Sequence, residues 1–377
     1  MDGISHRHPA LHWLHVNLFS SPTNTILTLL AALLLWQLVP PALNWAVFEA
    51  TFSGTDSDAC KYVDEHGEKV DAPGACWTFV KIRWPQFLFG LWYTRNFDQA
   101  WRPVLAFVLA LGIIAALALP MFSHKQRYQI AAGALVVYPF VAYALLNGAW
   151  LGLPEAKTAD WGGLTLTLVL ASLGIIAAFP LGVCLALARR SRMPVVKGYA
   201  VLWIEMFRGM PLITLLFIAS VMLPYFFPIG TEIDKVVRAI IAITIFQSAY
   251  TAEAIRGGLS AVPRGQYEAA EALGFGFWKS TILITLPQAL KISIPAIMNS
   301  FIQLFKDTSL VLIIGLLELL NIIQVAARSS QWKGYEAEGY IFAAATFFFF
   351  CYSMSLYSRG LERRLDTSLA ARRAQQD

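Results

Sequence analysis

RGQYEAAEALGFGFWKSTILITLP, Arg264–Pro287, is a mostly polar, helix-prone insert lodged between two long apolar runs. Its charged residues Arg264, Glu268, Glu271 and Lys279 would each cost kilocalories at the centre of a bilayer, so the stretch must lie at a membrane surface. Pro263 suits a helix start, Glu268 to Leu273 are good helix formers, and Gly274 stands where a left-handed C-terminal cap ends a helix. One edge of this short helix carries the small residues Ala269 and Ala270, with Leu273 one turn on. That edge can seat closely in a groove of a soluble partner.

The flanking chain explains why a surface insert is needed. Of 377 residues, 57% are hydrophobic and 14% charged, where a soluble domain carries roughly 25% charged residues. Counting His as neutral, uncharged runs recur at His8–Phe48, Pro103–His124, Tyr128–Pro154, Trp161–Ala188, Gly209–Thr231 and Gly339–Ser358. Each can contain a spanning helix of about 20 residues. Two more spans need charges at an edge or inside: Val236–Leu259, with Arg238 and Glu253, and Ile292–Leu317, with Lys306 and Asp307.

The expected fold is therefore an all-α integral membrane protein with about eight transmembrane helices. An even number puts both termini on one side, and the basic tail (Arg359, Arg363, Arg364, Arg372, Arg373) places that side in the cytoplasm, together with Arg264–Pro287. The first apolar run is too long for a cleaved signal and lacks a small-residue cleavage site before Pro40 and Pro41, so it reads as a retained span.

The organisation expected is a cytoplasmic tail over 1–23, and then an extension over 24–155 with three spans and an outside loop at about 49–102. A five-span core follows over 156–360 with a cytoplasmic loop at about 260–290, and a cytoplasmic tail over 361–377 ends the chain. Cys60 and Cys76 lie in the outside loop, where an oxidising compartment would let them pair and close a polar loop with little core of its own. Cys184 and Cys351 fall within spans as packing residues. His6, His8, His12 and His15 invite a metal reading, but without Cys or Asp/Glu at ligand spacing they describe a short interfacial tail, and no metal site is assigned.

In Phe89–Pro103 and just before it, Trp84, Phe87, Phe89, Trp92, Tyr93 and Trp101 alternate with Arg83, Arg95 and Arg102. This suits an amphipathic segment at headgroup level. An outside location argues against nucleic acid as its partner. The second and third spans carry few polar groups apart from Tyr138, Tyr143 and Asn147, and read as lipid-facing framework.

From Glu155 onward every span carries an interior proline, glycine cluster or charge. The fourth has Gly174, Gly182 and Pro180, residues that permit close helix packing and a kink. The fifth opens with Glu205 and Arg208, which are either an internal ion pair sealing a helix end or a gate or pathway charge. In the seventh, Asn299, Gln303 and Asp307 recur at intervals of four and run a polar stripe down one face. Asp307 is the acceptor that a ligand ammonium would need. Lys306 is about 100° around the helix; Glu205 and Glu253 are candidate partners for it, and Arg208 for Asp307.

EAAEALG at Glu268–Gly274, followed by Ile284 and Leu286–Pro287, resembles the EAA loop of permease subunits in binding-protein-dependent ABC importers. FRGMPLI at Phe207–Ile213, AYTAEAIRGGLSAVPRGQYEAA at Ala249–Ala270, LPQAL at Leu286–Leu290 and LFKDTSLV at Leu304–Val311 resemble the polar amino acid permeases, the histidine/glutamine permease family. The first 155 residues and FGLWYTRNFDQAWRP at Phe89–Pro103 further resemble the M-type subunit of general L-amino acid importers. Met210 departs from the Thr or Val that relatives often carry there.

The resemblance implies that the last five helices form a type I ABC importer permease core in the bacterial inner membrane. Glu268, Ala269, Ala270, Leu273, Gly274 and Pro287 would belong to a coupling loop that docks on a cytoplasmic ATPase. Implied partners are a second permease subunit, two ATPase subunits and a periplasmic amino acid-binding protein. The substrate pathway is expected at Asn299, Gln303, Asp307 and Ser309, with Arg208, Glu205 and Glu253. Asp307, Gln303 and Asn299 would take an ammonium, and Arg208 or a helix N-terminus a carboxylate.

No cofactor is expected on this chain, with ATP and Mg on the partner. GFGFWKS at Gly274–Ser280 has Trp278 where a Walker A loop has the glycine before its lysine, and no strand precedes it. No Ser/His/Asp set or intramembrane His/Cys cluster suggests a membrane enzyme. Two other readings stay open: an ion-coupled secondary transporter using Glu253, Asp307 and Lys306, and an ABC permease for another small polar solute. Paired halves with broken helices would favour the first, whereas here the polar sites gather in the last five spans.

Overall fold

The computed structural model describes residues 9–63, 66, 69–118, 122–228 and 233–365. Its helices are α1 (Pro9–Leu18), α2 (Pro22–Leu43), α3 (Trp77–Arg95), α4 (Trp101–Ala118), α5 (His124–Asn147), α6 (Gly163–Arg189), α7 (Pro194–Gly209), α8 (Leu212–Val221), α9 (Lys235–Ala261), α10 (Arg264–Ala272), α11 (Phe277–Ser280), α12 (Leu286–Asp307), α13 (Leu319–Ala327) and α14 (Glu336–Leu365). The strands are short: β1 (Lys61–Val63) and β2 (Lys69–Asp71) form an antiparallel hairpin, and β3 is Leu317–Glu318. His6 and His8 of the amino-terminal tail, and Arg372 and Arg373 of the carboxy-terminal tail, lie outside the described residues.

Among the described residues, six helical segments are long and apolar enough to cross a membrane: Pro22–Phe48, Phe97–Leu117, Lys125–Asn147, Gly163–Arg189, Phe277–Ile314 and Glu336–Arg363. A seventh is the pair α7 and α8, bent by 104°. The fold is all-α and membrane-spanning as expected. The sixth span expected from the sequence, Val236–Leu259, falls on α9, whose 27 residues would reach about 40 Å but whose composition is too polar to qualify by itself.

Two spans are differently bounded than the charge pattern suggests. The fifth begins at Pro194, so Glu205 and Arg208 close its first half rather than open the span, and it breaks at Met210–Pro211. Proline lacks an amide hydrogen and drives the residue before it out of helical geometry; Met210 is extended at φ −110°, ψ 148°. The seventh begins at Phe277, passes through a π turn at Thr281–Thr285 and continues into α12. Apolar TILIT thus belongs to the span, and the polar insert shrinks to about 264–276.

The chain divides into two units, Met1–Ile82 with Ser330–Glu338, and Arg83–Ser329 with Gly339–Asp377. In the first, α2 buries none of its side chains, as suits a helix whose solvent is lipid. Cys60 and Cys76 are joined by a disulfide, with Cα atoms 5.7 Å apart. The loop around them has more core than its polarity suggests. Trp332 is 1% exposed and packs its ring 5.3 Å from that of Phe79. The Tyr335 hydroxyl donates to Asp71 at 2.8 Å, and the Cys76 amide donates to Glu338 at 2.7 Å. Burial and the neighbouring Asp71 push the Tyr335 phenol upward.

In the second unit, α6 and α9 lie side by side because glycines remove the bulk between them. A Cβ on Gly174 would lie 2.5 Å from Ile243, and one on Gly182 would lie 2.8 Å from Thr251. Leu166, Leu170, Ala239, Ile243 and Leu304 complete the core at this level. Pro180 sits inside an unbroken α6.

The aromatic segment is packed largely into the protein rather than laid open as an amphipathic face. Phe87, Phe89 and Tyr93 are buried, and only Trp84 and Trp101 of the six aromatics are largely open. Gly90 causes this, because at φ +85° it turns the chain where a side chain would collide with the Gly162 backbone, 2.7 Å away. Arg102 is fully buried without a carboxylate: it donates to the carbonyls of Leu145, Leu146 and Pro154 at 2.7, 3.0 and 3.0 Å. The rings of Trp92 and Tyr93 lie 5.4 and 5.6 Å from its guanidinium. A cation thus completes the carboxyl end of α5, where helix carbonyls lack partners.

Candidate functional site: the surface helix and the charge cluster above it

The helix α10 is closed at its carboxyl end by a left-handed turn. Gly274 has φ +74°, its amide donates to the Glu271 carbonyl at 2.9 Å, and the Phe275 amide donates to Ala270 at 3.0 Å. These are the paired bonds of a Schellman cap. The predicted cap and helix are both present.

The predicted edge is not. Ala270 is 1% exposed and faces inward, so it does not share an open edge with Ala269 and Leu273. Helical spacing places residues one apart about 100° around the axis, and one alanine must turn away. Leu273 of that edge does stand open at 73%, within a larger apolar face that includes Trp278, 65% exposed, with Phe275 and Phe277 beside them. Glu268, Gly274 and Pro287 are exposed as well.

Tyr267 fixes this helix to its surroundings, and the sequence reading passed it over. Its hydroxyl donates to the Leu259 carbonyl at 3.0 Å and accepts from Arg190 at 2.8 Å. Arg190 also donates to Leu259 at 3.1 Å. Because Arg190 follows α6 directly and Leu259 lies in the last turn of α9, one tyrosine ties α10 to the ends of two spans. Gln288 of α12 adds a hydrogen bond to Gln266 at 3.0 Å.

Near the same ends lies an ionic cluster. Glu253 of α9 receives Arg256 at 2.6 and 3.0 Å, one turn along the same helix. Arg189 of α6 and Arg208 of α7 each stand 3.5 Å from Oε2, one of the two oxygens that Arg256 engages. Arg189 pairs in turn with Glu205 of α7 at 2.9 Å. Glu205 and Arg208 are therefore not partners of each other. Nor does Glu205 or Glu253 answer Lys306, or Arg208 answer Asp307. Arginines from three helices gather on Glu253, with two carboxylates against three guanidiniums. Arg189 and Arg256 went unassigned in the sequence reading, although the spacing of three between Glu253 and Arg256 was a usable signal.

The polar stripe is real as a helical face. Gln303 donates to Asp307 at 2.8 Å, so part of the carboxylate's capacity is taken by its own helix. Asn299 lies on the same face. Ser309 falls in the 3₁₀ turn Thr308–Ile314 and donates to the Lys306 carbonyl at 2.9 Å. The stripe and the Glu253 cluster are separate groups, with no hydrogen bond or ion pair between them among the described residues.

Glu318 was not foreseen. It is 0% exposed, caps α13 by accepting from the amides of Leu320 and Asn321 at 3.0 Å each, and meets the Thr167 hydroxyl at 3.4 Å. Burial pushes its carboxyl up to about 7, against the downward pull of these donors.

Residues 178–367 match the family described as binding-protein-dependent transport system inner membrane component. The chain is 48% identical over 358 residues to the inner membrane amino-acid ABC transporter permease protein YhdY of Escherichia coli (strain K12), covering 95% of this chain and 94% of that protein. It is 40% identical to the glutamate/glutamine/aspartate/asparagine transport system permease protein BztC of Rhodobacter capsulatus, covering 94% of each. A crystal structure of an amino acid ABC transporter with histidines aligns at a TM-score of 0.48 and 33% identity, covering 54% of this chain and 92% of the other.

Proposed function

Because this chain belongs to the family of binding-protein-dependent transport system inner membrane components, we propose that it is the membrane-spanning permease subunit of an ATP-driven importer of L-amino acids. Its range covers polar amino acids broadly. The full-length identity to an amino-acid permease, including the extension before residue 156, supports that substrate class.

Coupling runs through α10. A partner ATPase takes the open face of Leu273, Phe275, Phe277 and Trp278, with Glu268 and Gly274 at its rim. Its movement on binding and hydrolysing ATP is passed by Tyr267 to the ends of α6 and α9. The observation that carries this reading is the tie itself: a capped surface helix with an uncovered apolar face, bonded to two spans through one side chain.

A second permease subunit, two ATPase subunits and a periplasmic amino acid-binding protein complete the complex, and both termini of this chain are cytoplasmic. ATP and Mg belong to the ATPase, and this chain contributes no catalytic group. Asn299, Gln303 and Asp307 line the pathway and receive the substrate ammonium, while Arg208 and Glu253 belong to a charge cluster near the cytoplasmic end. Uptake of labelled amino acids by cells with and without this chain, in the presence of unlabelled competitors, tests the assignment. Uptake that survives loss of the ATPase but collapses with the proton gradient would reject it in favour of ion coupling.

A further inference from the structure

Beyond the stripe and the Glu253 cluster lies a third polar group on the second unit. An open cleft of about 430 Å³ is lined by Lys306 and Ser309 at the end of α12, Leu320 and Gln324 of α13, and Tyr340, Ala343, Ala344 and Phe347 of α14. That volume falls in the range of about 300–1,000 Å³ common to small-molecule sites.

Lys306 forms no ion pair among the described residues, although it lies in the candidate span Phe277–Ile314. Its neighbour Asp307 is engaged by Gln303 instead. A charged amine inside a span ordinarily pairs or faces a polar cavity, and this one faces a cavity. The Gln324 amide and the Tyr340 hydroxyl, in the same lining, likewise make no side-chain hydrogen bond within the described chain. The cleft therefore collects one cation and two unused donors, with no carboxylate in its lining. The rest of its lining, Leu320, Ala343, Ala344 and Phe347, is apolar.

We propose that this cleft binds an oxyanion attached to an apolar body, with the Lys306 ammonium on the oxyanion and Gln324 and Tyr340 as additional donors. Two sources share that chemistry: the α-carboxylate of a transported amino acid and the phosphate of an acidic phospholipid. The amino acid source rests on the function proposed above. The lipid source does not, so the cleft stands even if the chain carries a different solute. Ammonium–oxyanion hydrogen bonds are about twice as strong as neutral ones, which makes Lys306 the residue to change.

The test uses the full-length chain with its copurifying partners in phosphatidylcholine nanodiscs. Binding of phosphatidylglycerol is read by native mass spectrometry, and binding of labelled L-glutamine, against its carboxyl-amidated analogue, by scintillation proximity. Lys306→Gln should weaken at least one probe by about tenfold or more, a charge-assisted bond's worth. Lys306→Arg should keep binding within about threefold, because the cation remains. Ala344→Trp, which adds bulk to the lining without touching the charge, should also block that probe, and all three variants should elute as the wild type does.

Loss of phosphatidylglycerol alone identifies a lipid site. Loss of L-glutamine alone, with the amidated analogue already weak on wild type, identifies the substrate carboxylate. If neither probe binds wild type, or if both bind Lys306→Gln as well as wild type, the proposal is overturned.

Discussion

The Arg190 guanidinium donates to the Tyr267 hydroxyl at 2.8 Å and lies 5.2 Å from the centre of its ring. One aromatic side chain on a nine-residue helix thus receives a cation from the end of α6 while donating to α9. A helix this short has little stability of its own in water and depends on such ties.

Tyr267→Phe should keep the ring contact and lose both hydrogen bonds. At this partly exposed site the loss is about 1 kcal/mol, within the range for an ordinary hydrogen bond. Hydrogen exchange of the α10 amides should then quicken roughly fivefold, with the global melting temperature nearly unchanged. An unchanged exchange rate would show that α10 is held by other contacts.

Gly274 separates strain from docking. A Cβ there would meet nothing within 4 Å, so any cost inside the chain comes from its positive φ alone. Alanine should lose about 1 kcal/mol in this conformation, and aspartate less, since its side chain tolerates the left-handed region. If the surface docks an ATPase, the order reverses in transport: Gly274→Asp should copurify with less ATPase than Gly274→Ala does. Equal copurification by both variants and wild type would remove Gly274 from the coupling surface.

Glu253→Gln leaves Arg189, Arg208 and Arg256 facing one another with only Glu205 nearby. A fully buried pair broken on one side costs about 3–5 kcal/mol. This site is 23% exposed, so about 2 kcal/mol is expected. The double variant with Arg189→Gln should recover part of the loss. The melting temperature in detergent, with both single variants and the double variant, measures the coupling.

Glu318 supplies a pH dependence whose sign is fixed by its burial. Its folded carboxyl titrates at about 7, above the ordinary value of 4.5. The folded state therefore binds the proton more tightly than the unfolded state, and stability should fall as pH rises from 4.5 to 7 and level off above that. Glu318→Gln should flatten that part of the melting-temperature profile. A wild-type profile that rises across the same interval would exclude Glu318 as its main source.

Much of this was legible because it follows from local rules. The cap at Gly274 needs only a good helix former run ending in glycine, and a close helix approach to α6 needs only its glycines, although the partner α9 was not read from them. What stayed hidden depends on tertiary neighbours. Glu318 is one acid between two apolar stretches, and its enclosure by Thr167, some 150 positions earlier, leaves no local trace. Arg102 looked like an interfacial anchor because its acceptors are backbone carbonyls, and these have no sequence signature. The partners of Glu253 come from three helices, so spacing could have pointed only to Arg256, and even that one went unread. The boundary errors at Pro194 and Phe277 have one cause: charged or polar residues near helix ends were read as limits, whereas the helices run through them.

The polarity of α9 bears on how the protein is made. Its Arg238, Gln247, Glu253 and Arg256 would make this helix a poor substrate for release into lipid by itself. In the finished fold, Gln247 is enclosed and hydrogen-bonded to Ser300 of α12 at 2.9 Å, a residue synthesised some fifty positions later. During synthesis α9 must therefore wait at the insertion machinery, or lean on α6, until α12 has emerged. A helix that buries Gln247 against a later partner is then committed to the membrane only once that partner has joined it, and variants that weaken the α9–α12 contact should show their defect first as failed biogenesis.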